Sequence, residues 1–311
     1  MARGQQMKAL ALLPAFALVG MTVACGAGGN GAGSSGNAPS SQGAGAGTAP
    51  AAQKDAALAG LVPADIKADG KIVIGQDQTY PPNEFVDNGK ATGFDVDLGT
   101  AIGQVLGLQA EFQNSSFDGI IPGISAKKYE MGMSSFSVTA ERMQTVDMIS
   151  YYRAGTSLAV LKGNPDKLSA DDLCGKNVAV QKGTTQVDDL DKKNGACTKA
   201  GKPAINITQF QAQTDVNLAL TAKRVQAELA DSPVIDYAVK QTGGQLETVG
   251  APYDTAPYGI VVAKGSEQFD KALQGAVQKL IDSGVYKQIL DKWGLSGSGA
   301  VTKSEINPPA S

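Results

Sequence analysis

Short apolar runs alternate with amphipathic stretches along most of this chain. Residues 71–75, Lys-Ile-Val-Ile-Gly, read as a buried strand, and residues 77–82 as the loop that follows it. A hairpin turn is predicted over 87–90. Phe94, Leu98, Ala101, Ile102 and Val105 then recur at helical spacing, with Gly107 as the stop. A second strand is expected over 110–113, a helix from Phe117 to about Lys128, and a strand over 130–133. A similar run starts near Leu161. It predicts strands over 177–181, 205–210, 225–230 and 246–249. Its helices open after Gly183, with Thr184 or Thr185 as cap, at Thr214 as cap, and at Pro233 in a first-turn position. A strand over 258–264 returns, followed by helices Glu267–Asp282 and Val285–Trp293. Strands alternating with single helices predict open, mostly parallel α/β sheets.

The two ends follow other rules. Arg3 and Lys8, an apolar core over 9–21 and small residues before Cys25 predict an export signal over 1–24. The segment resembles a bacterial lipobox, with Cys25 as the lipidated residue and Thr22 where leucine is usual. The apolar run is short and broken by Pro14, which argues against a membrane-spanning helix. From Gly26 to Gln53 there is no charged residue, so a flexible tether is expected over 25–64. Residues 297–311 are polar and proline-tipped and predict a loose tail.

Composition narrows the chemistry. The chain has 311 residues, a net charge of −3 and a pI near 5.1, which gives nucleic acid no electrostatic footing. Histidine is absent, which removes Ser-His-Asp and Cys-His catalysis and weakens zinc. No metal or cofactor is expected. In an exported chain Cys174 and Cys197 are expected to form a local disulfide worth roughly 3 kcal/mol; a redox pair would want a CxxC spacing.

Candidate binding residues cluster by position. In open α/β sheets ligands sit beyond the carboxyl ends of strands. Asp77, Tyr80, Ser134, Arg142, Gly183, Thr185 and Asp231 all follow predicted strands, and they come from both runs, which predicts a cleft between two lobes. Thr139 is a candidate N-cap, and Arg142 falls in the first helical turn, where a positive charge calls for a compensating anion. A bound carboxylate would serve, with Ser134, Ser135 and Ser137 as further donors. Arg142 in one lobe and Asp231 in the other match the two charges of a zwitterion.

These residues, with Tyr80-Pro-Pro, Gly93-Phe-Asp-Val-Asp-Leu98, Phe117-Asp-Gly-Ile-Ile-Pro122, Ser134 to Arg142, Ala230-Asp-Ser-Pro233, Tyr258-Gly-Ile260 and Tyr286 to Gly294, resemble the polar amino-acid family of solute-binding proteins of ABC importers. The resemblance covers about 65–295. It implies a two-lobed periplasmic-binding-protein-like fold of type II, hinged near 152–155 and 254–258. Lobe 1 would take 65–154 and the return segment 255–296, and lobe 2 would take 155–254. It implies that Arg142 binds the ligand α-carboxylate with Ser137 and the Thr185 amide, and that Asp231 takes the α-ammonium beside Ser135. Tyr80 and Phe117 would pack on the ligand side chain, Asp77 would meet a polar or cationic one, and Gln181 would line the pocket from lobe 2. Asn83 stands where the family often has an aromatic residue and would make the wall smaller or more polar. Glu130, for a common Asp, and Ser150-Tyr151, without the usual proline, are structural departures.

Other readings remain beside these. Arg142 could pair with a surface acid, Tyr80 and Phe117 could be core aromatics, and Asp77 could serve only loop amides. The resemblance implies a monomeric receptor, lipid-anchored to the outer face of the bacterial cytoplasmic membrane, that hands a polar amino acid with a cationic or amide side chain to an ABC permease. The alternatives are a dehydratase-like enzyme, with Glu84 or Asp77 as general acid, and a small-molecule sensor.

Overall fold

The computed structural model describes residues 50–297 and 299–310. The predicted export signal, Cys25 and the glycine-rich part of the predicted tether lie outside the described residues. The first described elements are α1 (Ala56–Leu61) and α2 (Ala64–Asp69). The tether predicted over 25–64 therefore ends earlier than expected. Asp55 caps α1 through the amides of Ala57 and Leu58, and its other carboxylate oxygen accepts from Lys279 at 2.7 Å. Leu58, Leu61 and Val62 pack on the core of lobe 1; six residues are too few to display a helical period in sequence.

Lobe 1 is built on β1 (Lys71–Gln76), which is buried from its second residue onward. A small antiparallel sheet follows: β2 (Thr79–Tyr80), β3 (Glu84–Asp87) and β4 (Lys90–Thr92), with the predicted turn between Asp87 and Lys90. Next come α3 (Phe94–Leu106), β5 (Gln109–Asn114), α4 (Phe117–Ser125) and β6 (Met131–Gly132). Strands β5 and β6 flank β1 in parallel. Gly93 opens α3 at φ +134°, where a Cβ would stand 2.1 Å from the Asn83 carbonyl oxygen, so glycine is obligatory there.

A four-residue helix, α5 (Arg142–Thr145), leads into β7 (Val146–Leu161). Lobe 2 then contributes β8 (Asn177–Gln181), α6 (Thr185–Lys199), β9 (Asn206–Phe210), α7 (Gln213–Thr221), β10 (Ala227–Asp231) and α8 (Ser232–Gln241). The chain returns to lobe 1 along β11 (Leu246–Ala263) and ends its helices with α9 (Glu267–Asp282) and α10 (Val285–Trp293). The predicted cap at Thr214 is displaced: α7 begins at Gln213, whose amide is taken by Thr79 Oγ1 of lobe 1 at 3.1 Å.

The sheets of the two lobes are continuous. Strand order is β5-β1-β6-β11-β7-β10-β8-β9, because β7 and β11 run antiparallel through both halves. Their register shifts between Val249 and Tyr253 and again between Tyr253 and Ala256, at the level of the expected hinges. Gly155 sits there, and a Cβ on it would meet the Tyr253 carbonyl oxygen at 2.7 Å. The core of lobe 1 joins Ile72, Ile74, Phe94, Leu98 and Ile102 to Leu273, Val277, Leu280 and Ile289. Lobe 2 packs α7 and α8 on one sheet face and α6 on the other. The Cys174–Cys197 disulfide forms, with a Cα–Cα distance of 5.6 Å, and ties the last turns of α6 to the chain entering β8.

The segment predicted as a loose tail is instead bound to lobe 1. Glu305 and Asn307 exchange backbone hydrogen bonds with Ser150 and Met148, Ile306 bridges to Ile149, and Gly299 accepts from the Arg153 amide. Ser304 is buried and donates to the Ser150 carbonyl oxygen at 2.8 Å. In lobe 1 β7 is the outer strand, and this segment covers its open edge.

Candidate functional site

Each site residue lies where a strand gives out. Asp77 directly follows β1, Ser134 and Ser135 come just after β6, and Gln181 and Asp231 are the last residues of β8 and β10. Together with Tyr80, Glu84, Phe117, Ser137, Arg142, Thr184, Thr185 and Gln186 they line a cavity between the lobes.

The lobes meet around this cavity. Gln181 Nε2 donates to Asp77 Oδ2 at 2.7 Å, the Asp231 amide donates to Tyr80 Oη at 3.0 Å, and Arg142 Nη2 donates to the Gly183 carbonyl oxygen at 3.2 Å. Farther out, Lys182 pairs with Asp118 at 2.9 Å.

Arg142 is held by its backbone and by aromatic rings. Thr139 Oγ1 accepts from the Arg142 amide at 3.1 Å, so the predicted cap operates, although α5 is only one turn long. Arg142 Nη1 donates to the Ser137 carbonyl oxygen at 2.8 Å. The guanidinium carbon lies 5.4 Å from the Phe117 ring centroid and 5.3 Å from that of Phe136, and the two rings stack on each other at 4.5 Å. Phe117 is therefore both a cavity wall and a support for the cation. Burial pulls Arg142 down to about 10, against the opposing pull of Asp231, so it remains charged at neutral pH.

The Asp231 carboxylate is held from two sides. Gln186 Nε2 donates to Oδ1 and Tyr258 Oη to Oδ2, both at 2.8 Å. Burial raises its pKa even so, with Tyr258, Gln186, Tyr80 and Arg142 opposing. Asp77 is as closely bound: Oδ1 accepts from the amide and hydroxyl of Thr79, and Oδ2 from the Phe117 amide and Gln181. It does serve loop amides, and it faces the cavity as well. Burial raises its pKa too.

The sequence reading passed over Glu84 as a binding residue. Its side chain is fully buried, accepting from Ser134 Oγ at 2.9 Å and Ser135 Oγ at 3.2 Å. Burial, with the charge of Asp95 behind it, raises its pKa well above the usual carboxylate range. The predicted position was Asn83, one residue earlier. The structure places Asn83 behind the wall: it is buried, donates to Ser135 Oγ at 2.9 Å and does not line the cavity. The reason is the β2–β3 pairing, which sets Glu84 directly opposite Tyr80. Thr184 and Gln186 were also missed as lining residues; both sit at the start of α6 beside Thr185. The remaining expected residues, Asp77, Tyr80, Phe117, Ser134, Ser135, Ser137, Arg142, Gln181, Thr185 and Asp231, are brought together. Among the described residues no acidic, cysteine or histidine cluster has the makings of a metal site.

Residues 72–296 match the model of the bacterial extracellular solute-binding proteins, family 3, and the chain belongs to that family. An arginine-binding protein of Corynebacterium glutamicum is 32% identical over 249 residues, covering 79% of this chain and 81% of its own. An ancestral arginine-binding protein bound to arginine superposes with a TM-score of 0.68 at 34% identity, covering 72% of this chain and 98% of its own. An ancestral arginine-binding protein bound to glutamine gives a TM-score of 0.67 at 33% identity, covering 73% of this chain and 98% of its own.

Proposed function

We propose that this family 3 solute-binding protein captures one amino acid with a cationic side chain, of the arginine or lysine type, between its closing lobes. The observation that carries the reading is the charge of the cavity wall. It holds one cation, Arg142, and three acids, Asp77, Glu84 and Asp231. An α-carboxylate on Arg142 and an α-ammonium on Asp231 balance two of these, as a zwitterion requires. Asp77 and Glu84 are left over, and both are buried in the region of lobe 1 where a ligand side chain would lie. A buried carboxylate without a cation is costly, so a positively charged ligand side chain is the natural complement. Relatives named for arginine binding support the same reading.

In this reading the protein is exported, anchored through Cys25 at the outer face of the membrane, and works as a monomer delivering its ligand to an ABC permease. Relatives named as ABC transporter arginine-binding proteins support that partner. The protein acts as a receptor and leaves the ligand chemically unchanged. A dehydratase-like reading has one observation in its favour: Glu84, with its raised pKa, is a carboxylic acid of the kind a general acid must be.

The deciding experiment is a thermal-shift and calorimetry panel of the twenty amino acids, with mass spectrometry of each mixture. A large shift for arginine or lysine and an unchanged ligand mass are expected. A preference for acidic amino acids would overturn the charge argument, and a changed ligand mass would move the protein to the enzymes.

A further inference from the structure

Behind the cavity, Glu84 meets a second buried acid. Asp95, in the first turn of α3, is fully buried, and its Oδ2 accepts from the Tyr151 hydroxyl at 2.8 Å and from the Ser135 amide at 3.1 Å. Its Oδ1 has no hydrogen-bonding donor in the protein, and it neighbours Glu84 across Ser135, whose amide donates to Asp95 and whose hydroxyl donates to Glu84. Two neighbouring carboxyls buried together resist ionising at the same time, so one of them holds a proton. We propose that Glu84 and Asp95 share one proton, which the site releases when a cationic ligand side chain enters, so that capture is linked to pH. The proposal rests on the cationic-ligand reading above.

The surroundings decide where the proton sits. Besides each other, the groups that bear on the pair are Asp77 from the end of β1, Tyr80 from β2 and Tyr151 from β7. None of these is a cation, and both phenols are pushed up and keep their own protons. Burial lifts Asp95 to about 7 and Glu84 well above its ordinary range. The N-terminal turn of α3 favours the ionised form of Asp95, which leaves the proton on Glu84, the member that lines the cavity.

A guanidinium or ammonium arriving beside Glu84 supplies the positive charge that the proton supplied. The O–H bond of Glu84 breaks, the proton passes to solvent or buffer, and the carboxylate pairs with the ligand. A neutral amide side chain instead accepts a hydrogen bond from protonated Glu84, and no proton leaves. One-proton linkage then gives arginine an affinity that rises about tenfold per pH unit below the pair's range and levels off above it. Glutamine gains nothing from the same change.

The test is calorimetry of the protein at pH 7 with arginine and with glutamine, in phosphate and in Tris, whose ionisation heats differ. Arginine should release close to one proton and glutamine none. Equal arginine heats in the two buffers, with arginine bound, would overturn the proposal. Absence of arginine binding would overturn the underlying reading instead. In Asp95→Asn no second carboxyl resists the ionisation of Glu84, so release should fall by more than half while arginine still binds. Unchanged release in that variant would break the assigned pairing. Should Asp95→Asn fail to fold, the buffer comparison and the pH slope of the unmodified protein decide alone.

Discussion

Gln181 of lobe 2 donates to Asp77 of lobe 1 at 2.7 Å, one of the hydrogen bonds that join the two walls of the cavity. The same Gln181 nitrogen also donates to the Gln211 carbonyl oxygen at 2.9 Å, so its orientation is fixed before Asp77 is met. Gln181→Ala removes a charge-assisted bond made only when the lobes are shut. Ligand affinity should fall by about 1–2 kcal/mol, with little change in the stability of either lobe. Calorimetry beside a melting curve checks this; a lowered melting temperature with unaltered affinity would contradict it.

Arg142 and Asp231 hold the two ends of the amino-acid backbone in the proposed complex. Arg142→Ala or Asp231→Ala should each cost about 2–5 kcal/mol of binding, the range for breaking one partner of a buried charge pair. Arg142→Lys should recover little, because a point charge cannot reproduce the fork or its contact with the Phe117 and Phe136 rings. Dissociation constants for the ligand identified in the panel provide the measurement.

Glu228 lies in the middle of β10, fully buried, with neither carboxyl oxygen bonded. Burial alone pushes it up to about 8. An acid with a raised folded pKa keeps its stabilising proton below the unfolded value near 4.5 and loses stability as pH rises towards 8. Lobe 2 should therefore melt at lower temperature at pH 8 than at pH 5. Glu228→Gln should flatten that slope and raise stability at pH 8 by ~1–3 kcal/mol. Melting curves from pH 5 to pH 9 on both proteins would reveal it, and parallel slopes would rule the explanation out.

The chain has one tryptophan, Trp293. Its indole nitrogen donates to Asp97 at 2.7 Å, and its ring meets Phe85 edge-on at 6.0 Å. Phe85 in turn lies 6.2 Å from Tyr237 of lobe 2, so this aromatic chain spans the lobes outside the cavity. Intrinsic fluorescence should change when ligand shuts the lobes, and Tyr237→Ala should reduce that change while leaving the ligand contacts in place. A full signal in Tyr237→Ala would mean that Trp293 does not sense the opposite lobe.

The Cys174–Cys197 bridge closes a loop of 23 residues. By loop-closure entropy its removal in Cys174→Ala/Cys197→Ala should cost roughly 3 kcal/mol of stability. The bridge is remote from the cavity wall, so affinity should stay within about twofold, a few tenths of a kcal/mol. Denaturant titration with and without reductant, alongside calorimetry, tests both halves.

Local elements were legible in the sequence because their signals are local. Helices Glu267–Asp282 and Val285–Trp293 and strand β1 appear where their periodicity places them. The long strand β7 was not, and of β11 only the two ends, 246–249 and 258–264, were predicted. Gly155, Pro252 and Pro257 read as breaks, and only pairing between strands about a hundred residues apart holds those stretches extended. The segment from Gly299 to Asn307 misled for a related reason: it has no apolar pattern of its own and borrows order from the edge of β7. Within the site, Arg142, Asp231 and Asp77 were found from their places after strands, and Gln181 through the family resemblance. Glu84 was not, since a carboxyl buried beside Asp95 runs against the rule that acids lie outside, and only the three-dimensional pairing with Tyr80 reveals its direction.

The return of β11 to lobe 1 also sets an order of assembly. Lobe 2 gathers its strands from a stretch that ends by Val249, whereas β6 must wait for β11, and α3 for α9 and α10. A chain emerging N-terminus first can complete the second lobe while the first is still missing a strand and two helices. The first half of the sequence thus stays without a finished core until the return segment has been made. Its last contacts, and with them the wall that carries Asp77 and Glu84, form only after Trp293 has arrived.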